Sequence, residues 1–173
     1  MTSILKVSEI QDPTNSNTAL TIGSTGVVKR NVIPSFQARG NAGSTSLTAA
    51  DTNFDYVSSW TTTDFNTSGL LDAGGYAEIP SGLSGLYQIH YSNNEGASVN
   101  YGSAWLFWYD TSAGTYTQIQ RDYSANDYSG YTTGGTLILE LDVGDRIYAG
   151  YDDRYKVPGS SAYYSRFNMY LIG

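Results

Sequence analysis

The stretch Leu137-Ile138-Leu139-Glu140-Leu141-Asp142-Val143-Gly144-Asp145-Arg146-Ile147-Tyr148 is a strand, a tight turn and a second strand. In an extended chain successive side chains point to opposite faces. Leu137, Leu139 and Leu141 therefore share one face, and Ile138, Glu140 and Asp142 the other. Val143-Gly144-Asp145 supplies the reversal, because glycine adopts the positive φ that a tight turn needs. The two strands take their side chains from opposite environments, as in a sheet with one face on a core.

The same grammar extends in both directions. Strands are predicted at Ser35-Arg39, Thr45-Leu47, Asp55-Trp60, Tyr76-Ile79, Gly85-Ser92, Ser103-Tyr109, Tyr116-Tyr123, Gly135-Leu141, Asp145-Tyr151 and Arg166-Ile172, with turn signals such as Gly74-Gly75, Asn93-Asn94 and Ser112-Ala113-Gly114 between them. In Gly85-Ser92 the alternation is imperfect, and Leu86, Ile89 and Tyr91 are set against Tyr87, Gln88, His90 and Ser92. Ala104-Trp105-Leu106-Phe107-Trp108-Tyr109 is apolar on both faces, so both faces need cover, and a subunit interface is the natural cover for the outer one. No amphipathic helix is found; the best window, Ser46-Asp51, is too short. Short strands at regular spacing indicate an all-β sandwich or jelly roll.

Residues 1–33 differ from the rest. Ile4-Ile10, Ala19-Gly23 and Val27-Ile33 are predicted strands without phenylalanine or tryptophan. Three such strands cannot bury a core alone and need a partner surface. The chain is thus read as an N-terminal β-rich anchoring arm, 1–33, and a sandwich domain, 34–173. Ile4, Leu5, Val7, Ile10, Leu20 and Ile22 are the arm's candidate anchoring residues.

Composition narrows the function. Charged residues make up 14% of the 173 residues, against a typical ~25%. There is no cysteine, so stability comes from packing or assembly. Net charge is −7, and of the basic residues only Lys29 and Arg30 are adjacent, which excludes a nucleic-acid footprint. Sixteen tyrosines and nineteen glycines fit many strands and tight turns. No apolar run approaches a membrane span, and the Met1 end is not a secretory signal, being interrupted by Lys6, Ser8 and Glu9. The expectation is a protein made in a cytoplasm with a surface-like composition.

Catalysis is not supported. His90 is the only histidine, in a predicted strand, and no nucleophile elbow accompanies it. The aspartates Asp51, Asp55, Asp64, Asp72, Asp122, Asp127, Asp152 and Asp153 include no marked pair for glycoside hydrolysis. Asp152-Asp153, and Asp142 with Asp145, offer oxygen ligands that suit calcium, but the second pair belongs to a turn; no cofactor is expected. Tyr116, Tyr123, Tyr128 and Tyr131, beside Arg121, Asp122, Asn126 and Asp127, form a candidate recognition surface of flat rings and hydrogen-bonding groups.

Four segments resemble the C1q/TNF-like jelly-roll family, over residues 34 to 173. They are Pro34-Ser35-Phe36-Gln37-Ala38; Gly75-Tyr76-Ala77-Glu78-Ile79-Pro80 with Gly85-Leu86-Tyr87-Gln88-Ile89; Leu137-Tyr148; and Ser165-Arg166-Phe167-Asn168-Met169-Tyr170-Leu171-Ile172. Ser103-Tyr131 departs from the family pattern, being longer and richer in tyrosine. The arm, in Ile4-Asp12 and Asn17-Gly26, resembles N-terminal segments of marine phage virion and tail-fibre-like proteins, cyanophages especially. These resemblances imply a homotrimer, with Trp105, Phe107, Tyr109, Phe167, Met169 and Leu171 as interface candidates. They further imply a non-enzymatic bacteriophage protein at the virion surface, released by lysis, whose arm binds other virion proteins. The function expected is capsid decoration, with a short tail fibre touching host glycan or protein and a free glycan-binding lectin as the alternatives.

Overall fold

The computed structural model describes residues 9–11, 18–22, 24–25, 28–30, 33–49, 52–94, 102–124, 132–151 and 165–173, and the side chains of 22, 24–25, 33–40, 55–93, 104–122, 134–150 and 165–173. The chain divides into two compact units, Met1–Ile33 and Pro34–Gly173. Every regular element among the described residues is a strand.

In the first unit β1 (Glu9–Gln11), β2 (Thr18–Ile22) and β3 (Val28–Arg30) form an antiparallel three-stranded sheet. Ile10 lies opposite Leu20, and Ile22 opposite Val28.

The second unit contains β4 (Ser35–Ala49), β5 (Thr52–Thr67), β6 (Ala77–Glu78), β7 (Gly85–Asn94), β8 (Gly102–Asp110), β9 (Thr115–Ser124), β10 (Thr132–Leu141), β11 (Arg146–Tyr151) and β12 (Arg166–Leu171). They hydrogen-bond in the order β10-β7-β12-β4-β5-β11-β8-β9, with β6 on β11. All pairs are antiparallel. The ladder folds back on itself, so that β8 and β9 lie across from β7 and β10. The result is a two-layered sandwich, with β10-β7-β12-β4 in the first layer and β11-β8-β9 and β6 in the second.

The predicted strands at Ser35-Arg39 and Thr45-Leu47 are one element. β4 pairs with β12 through Ser35–Arg39 and with β5 along its whole length, and Asp55 and Tyr56 of β5 then pair with β11. The ladder passes between layers where its register slips three times between Gln37 and Ser44. Bulges of this kind bend a strand and increase its twist, and Gly40 at φ 73° sits inside that region.

One core fills the space between the layers. Phe36 and Ala38 of β4, Tyr87, Ile89 and Tyr91 of β7, and Phe167 and Met169 of β12 meet Ala104 and Leu106 of β8 and Ile147 and Ala149 of β11. The alternation in Leu137–Leu141 holds: the three leucines pack on the core, while Ile138 is 56% exposed. In β7 the alternation is regular from Leu86 to Tyr91, but Tyr87 points inward and Leu86 outward. Tyr87 tolerates burial because its hydroxyl donates to the Leu83 carbonyl at 2.6 Å, and burial raises its pKa to about 12.

The turn after β10 is tied to the rest of the unit. Asp145 N–H donates to Asp142 O, Gly144 N–H to Ile79 O, and Ile79 N–H to Asp145 O. The Asp145 side chain is 3% exposed and accepts the backbone N–H groups of Thr111 (3.0 Å) and Asp142 (3.1 Å). Leu171 N–H donates to Pro34 O at the same end of the sandwich. The strand ends that flank 95–101, 125–131 and 152–164 lie together at the opposite end, where Asn94 pairs with Thr132, Arg166 with Ser92, and Gly102 with Ser124.

Candidate recognition surfaces

Alternation along β12 and β8 decides which predicted interface residues have surface to offer. Phe167 and Met169 have none: both are 0% exposed within a single chain. The Phe167 ring packs edge-on to Phe36 at 4.8 Å and stands near Trp60 and Tyr91. Assigning these two to a trimer interface is corrected accordingly; they are core because odd positions of β12 face inward. Trp105 and Phe107 do face away from the core, as expected for a strand apolar on both sides. Each is nevertheless 2% exposed in one chain, so the chain covers this face itself. The Arg121 guanidinium lies 4.5 Å from the Trp105 ring centroid, and Phe107 shares a cluster with Tyr148. The expectation that a neighbouring subunit supplies this cover is corrected too. Tyr109 and Leu171 are half-buried.

A group of exposed apolar side chains lies on the outer face of the first layer. Ile138 is opposite Gln88, which is opposite Tyr170; Leu86 is opposite Glu140. The Ile172 N–H donates to the Leu86 carbonyl at 2.8 Å. Leu86 (40% exposed), Ile138 and Ile172 (39%) thus flank half-buried Tyr170. Further across the same face are the His90 ring, whose Nδ1 is 3.0 Å from Thr136 Oγ1, and a polar network around Asp64. Asp64 accepts from Gln37 Nε2 at 2.8 Å and pairs with Arg39 at 3.2 Å. Burial and the Arg166 charge lower the His90 pKa. The Gln37 hydrogen bond lowers that of Asp64; burial opposes it, and the charge and hydrogen bond of Arg39 add to the lowering.

The outer face of the second layer carries a different arrangement. Cross-strand register places Glu78, Arg146, Tyr109 and Tyr116 in one row across β6, β11, β8 and β9. Arg146 Nε donates to Glu78 Oε2 at 2.8 Å. Its guanidinium carbon is 5.3 Å from the Tyr76 ring centroid and 5.8 Å from that of Tyr109. The Tyr148 ring lies 5.1 Å from Tyr76 and 5.7 Å from Tyr116, and Tyr109 and Tyr116 are 4.7 Å apart. Burial would lower the Arg146 pKa, but hydrogen bonds to Tyr148 and Glu78 overcome it and raise the pKa. Tyr148 is raised by burial and by its hydrogen bond with Tyr116.

Of the predicted recognition residues, Tyr116 belongs to this cluster. Tyr123 lies in β9 opposite Ser103, with its side chain outside those described, and Tyr128 and Tyr131 lie outside the described residues. In the arm, Ile10 and Leu20 are cross-strand partners and Ile22 is half-buried; Ile4, Leu5 and Val7 are outside the described residues. Among the described residues no group of three His, Asp or Glu side chains could hold a metal ion. The Asp145 carboxylate is engaged by backbone N–H groups, and Asp152-Asp153 is outside the described residues. Tyr76, Arg146 and Glu78 were missed as site residues by sequence reasoning. The available signal was parity: Trp105, Phe107 and Tyr109 share a face, as do Arg146 and Tyr148.

No family model matches the chain, and no curated protein matches it. Solved structures do. The fold is an all-β, C1q/TNF-like jelly-roll sandwich. The globular domain of zebrafish complement 1qA protein superposes with a TM-score of 0.54 at 14% identity, covering 81% of this chain and 98% of that one. Murine APRIL at pH 5.0 gives a TM-score of 0.60 at 12% identity, covering 82% of this chain and 100% of that one; its pH 8.5 structure gives 0.59 over the same shares.

Proposed function

We propose that this protein is a non-enzymatic homotrimer at the surface of a bacteriophage particle, with the jelly-roll unit as a head that decorates the capsid and the N-terminal arm as its attachment. The observation that carries self-association is the outer face of the first layer. Leu86 (40%), Ile138 (56%) and Ile172 (39%) expose aliphatic surface together on one sheet face. Clustered exposed apolar side chains mark interaction sites, and a second and third copy of the chain is the occupant that the C1q/TNF-like fold suggests. No cofactor is invoked.

Attachment through the arm follows from its make-up. Strands this short bury little surface alone and gain stability by adding to a neighbour's sheet. Three arms on one trimer act together and multiply a weak individual contact. The resemblance of the arm to marine phage virion segments supports the placement on a particle.

Quantitative mass spectrometry with immunogold labelling of the intact particle tests the placement. Many copies spread over the head are expected. A few copies confined to the tail would replace decoration with a fibre role, and absence from the particle would overturn the virion reading.

A further inference from the structure

We propose that the outer face of the second layer is a binding site for a neutral saccharide, centred on Arg146 and Glu78 and floored by the half-buried Tyr76, Tyr109 and Tyr116, whose rings pack around buried Tyr148. This inference is independent of where the protein is carried, since it uses only side chains of the globular unit.

Three observations point to this ligand class. First, the site is rigid. Its groups stand on β6, β8, β9 and β11 and on the turn before β6, and the tyrosine rings brace one another at centroid distances of 4.7 to 5.7 Å. Second, its polar centre is an ion pair, with the Asp72 carboxylate hydrogen-bonded at the Tyr76 edge of the platform. Arg146 uses Nε on Glu78, both side chains remain more than a third exposed (37% and 39%), and the pair offers guanidinium donors beside carboxylate acceptors. Vicinal hydroxyls use both kinds of group at once, whereas a simple anion or cation meets one attractive and one repulsive partner. An acidic polymer is further disfavoured by the net charge of −7. Third, the exposed large aliphatic and aromatic anchors of the described residues lie elsewhere: Ile33, Phe65, Leu86, Ile138, Val143 and Ile172 all fall outside this site. A protein partner draws its affinity from such anchors. A sugar draws on half-exposed aromatic rings with polar edges, which this face supplies.

The test uses the full chain and a panel of hexasaccharides: cellohexaose, maltohexaose, xylohexaose, mannohexaose and chitohexaose as neutral probes, with an alginate hexamer as the acidic one. Titration calorimetry and saturation-transfer NMR are expected to show saturable binding of at least one neutral probe, with a Kd of about 0.1–1 mM, the range of a few hydrogen bonds and ring contacts. Glu78→Gln keeps the shape and removes the charged acceptor. It is expected to weaken that binding about tenfold, as loss of one charge-assisted hydrogen bond does, with Tm and mass in solution little changed. Tyr116→Ala, at the edge of the platform, is expected to weaken it similarly. The proposal is overturned if no neutral probe binds at millimolar concentration, if only the alginate hexamer binds, or if a bound probe is indifferent to both substitutions.

Discussion

Replacing Phe167 by alanine separates the core from the association surface. Phe167 is 0% exposed, with Phe36 at 4.8 Å, Trp60 at 5.7 Å and Tyr91 at 6.4 Å between ring centroids. Removing a fully buried phenylalanine costs about 3–5 kcal/mol through lost transfer energy and the cavity left behind. The edge-on contacts with Phe36 and Tyr91 push the value towards the upper end, since aromatic pairs add about 0.5–1.5 kcal/mol each beyond burial. Against a domain stability of roughly 5–15 kcal/mol, this is a large fraction. The assay is urea denaturation followed by tryptophan fluorescence at several protein concentrations. The midpoint is expected to fall strongly at every concentration, because the defect lies within each chain. Should Phe167→Ala not fold, Phe167→Leu is expected to fold with a loss of about 1–2 kcal/mol. Tyr170→Ala, three residues along and on the outer face, is expected to leave unfolding of the single chain within about 1 kcal/mol. A Phe167→Ala loss below about 1 kcal/mol, accompanied by dissociation into well-folded monomers, would refute the assignment of inward and outward faces.

Three further outcomes are expected. Ile138→Glu places a carboxylate where roughly 100 Å2 of apolar surface is otherwise buried by a neighbour, forfeiting about 2.5 kcal/mol per site before the cost of burying the charge. Sedimentation velocity should show monomers, with the far-UV spectrum of the native protein. Gly75→Ala should destabilise the fold by more than about 2 kcal/mol, because Gly75 has φ 85° and an added Cβ would stand 2.2 Å from the Val57 carbonyl oxygen; a urea titration checks it. His90 is held below its ordinary pKa by burial and then by Arg166, so the folded state binds its proton less well than the unfolded state. Stability is therefore full above about pH 6.5 and declines as pH falls from there towards the lower folded value. Urea midpoints between pH 7.5 and 5.0 should show this decline, and His90→Gln should flatten it. The lowered carboxyls of Asp64 and Asp110 act only at lower pH, below about 3.8.

How legible the fold was in the sequence varied with the physics of each segment. Leu137–Tyr148 could be read directly, because three leucines on one parity and a glycine turn leave one solution. The β4–β5 hairpin was read as separate short strands, since Gly40–Ser46 carries no apolar alternation and its pairing is dictated by the partner strand and its bulges. β7 misled because tyrosine is apolar in body and polar at its tip. Tyr87 is buried with its hydroxyl satisfied, while Leu86 faces out. The interface candidates Phe167, Met169, Trp105 and Phe107 were chosen for apolar size, and size does not reveal which face a strand presents. The Arg146 platform depends on the register of strands distant in sequence: Tyr76 and Tyr148 meet only once β6 and β8 flank β11. Parity alone could have grouped its members within each strand but not across strands.

Self-association is the claim on which the functional account rests, and sedimentation equilibrium of the native chain at micromolar concentration tests it most directly. The account predicts a single species at three times the 18.8 kDa chain mass. A species at the mass of one chain, unchanged as concentration rises, would contradict it.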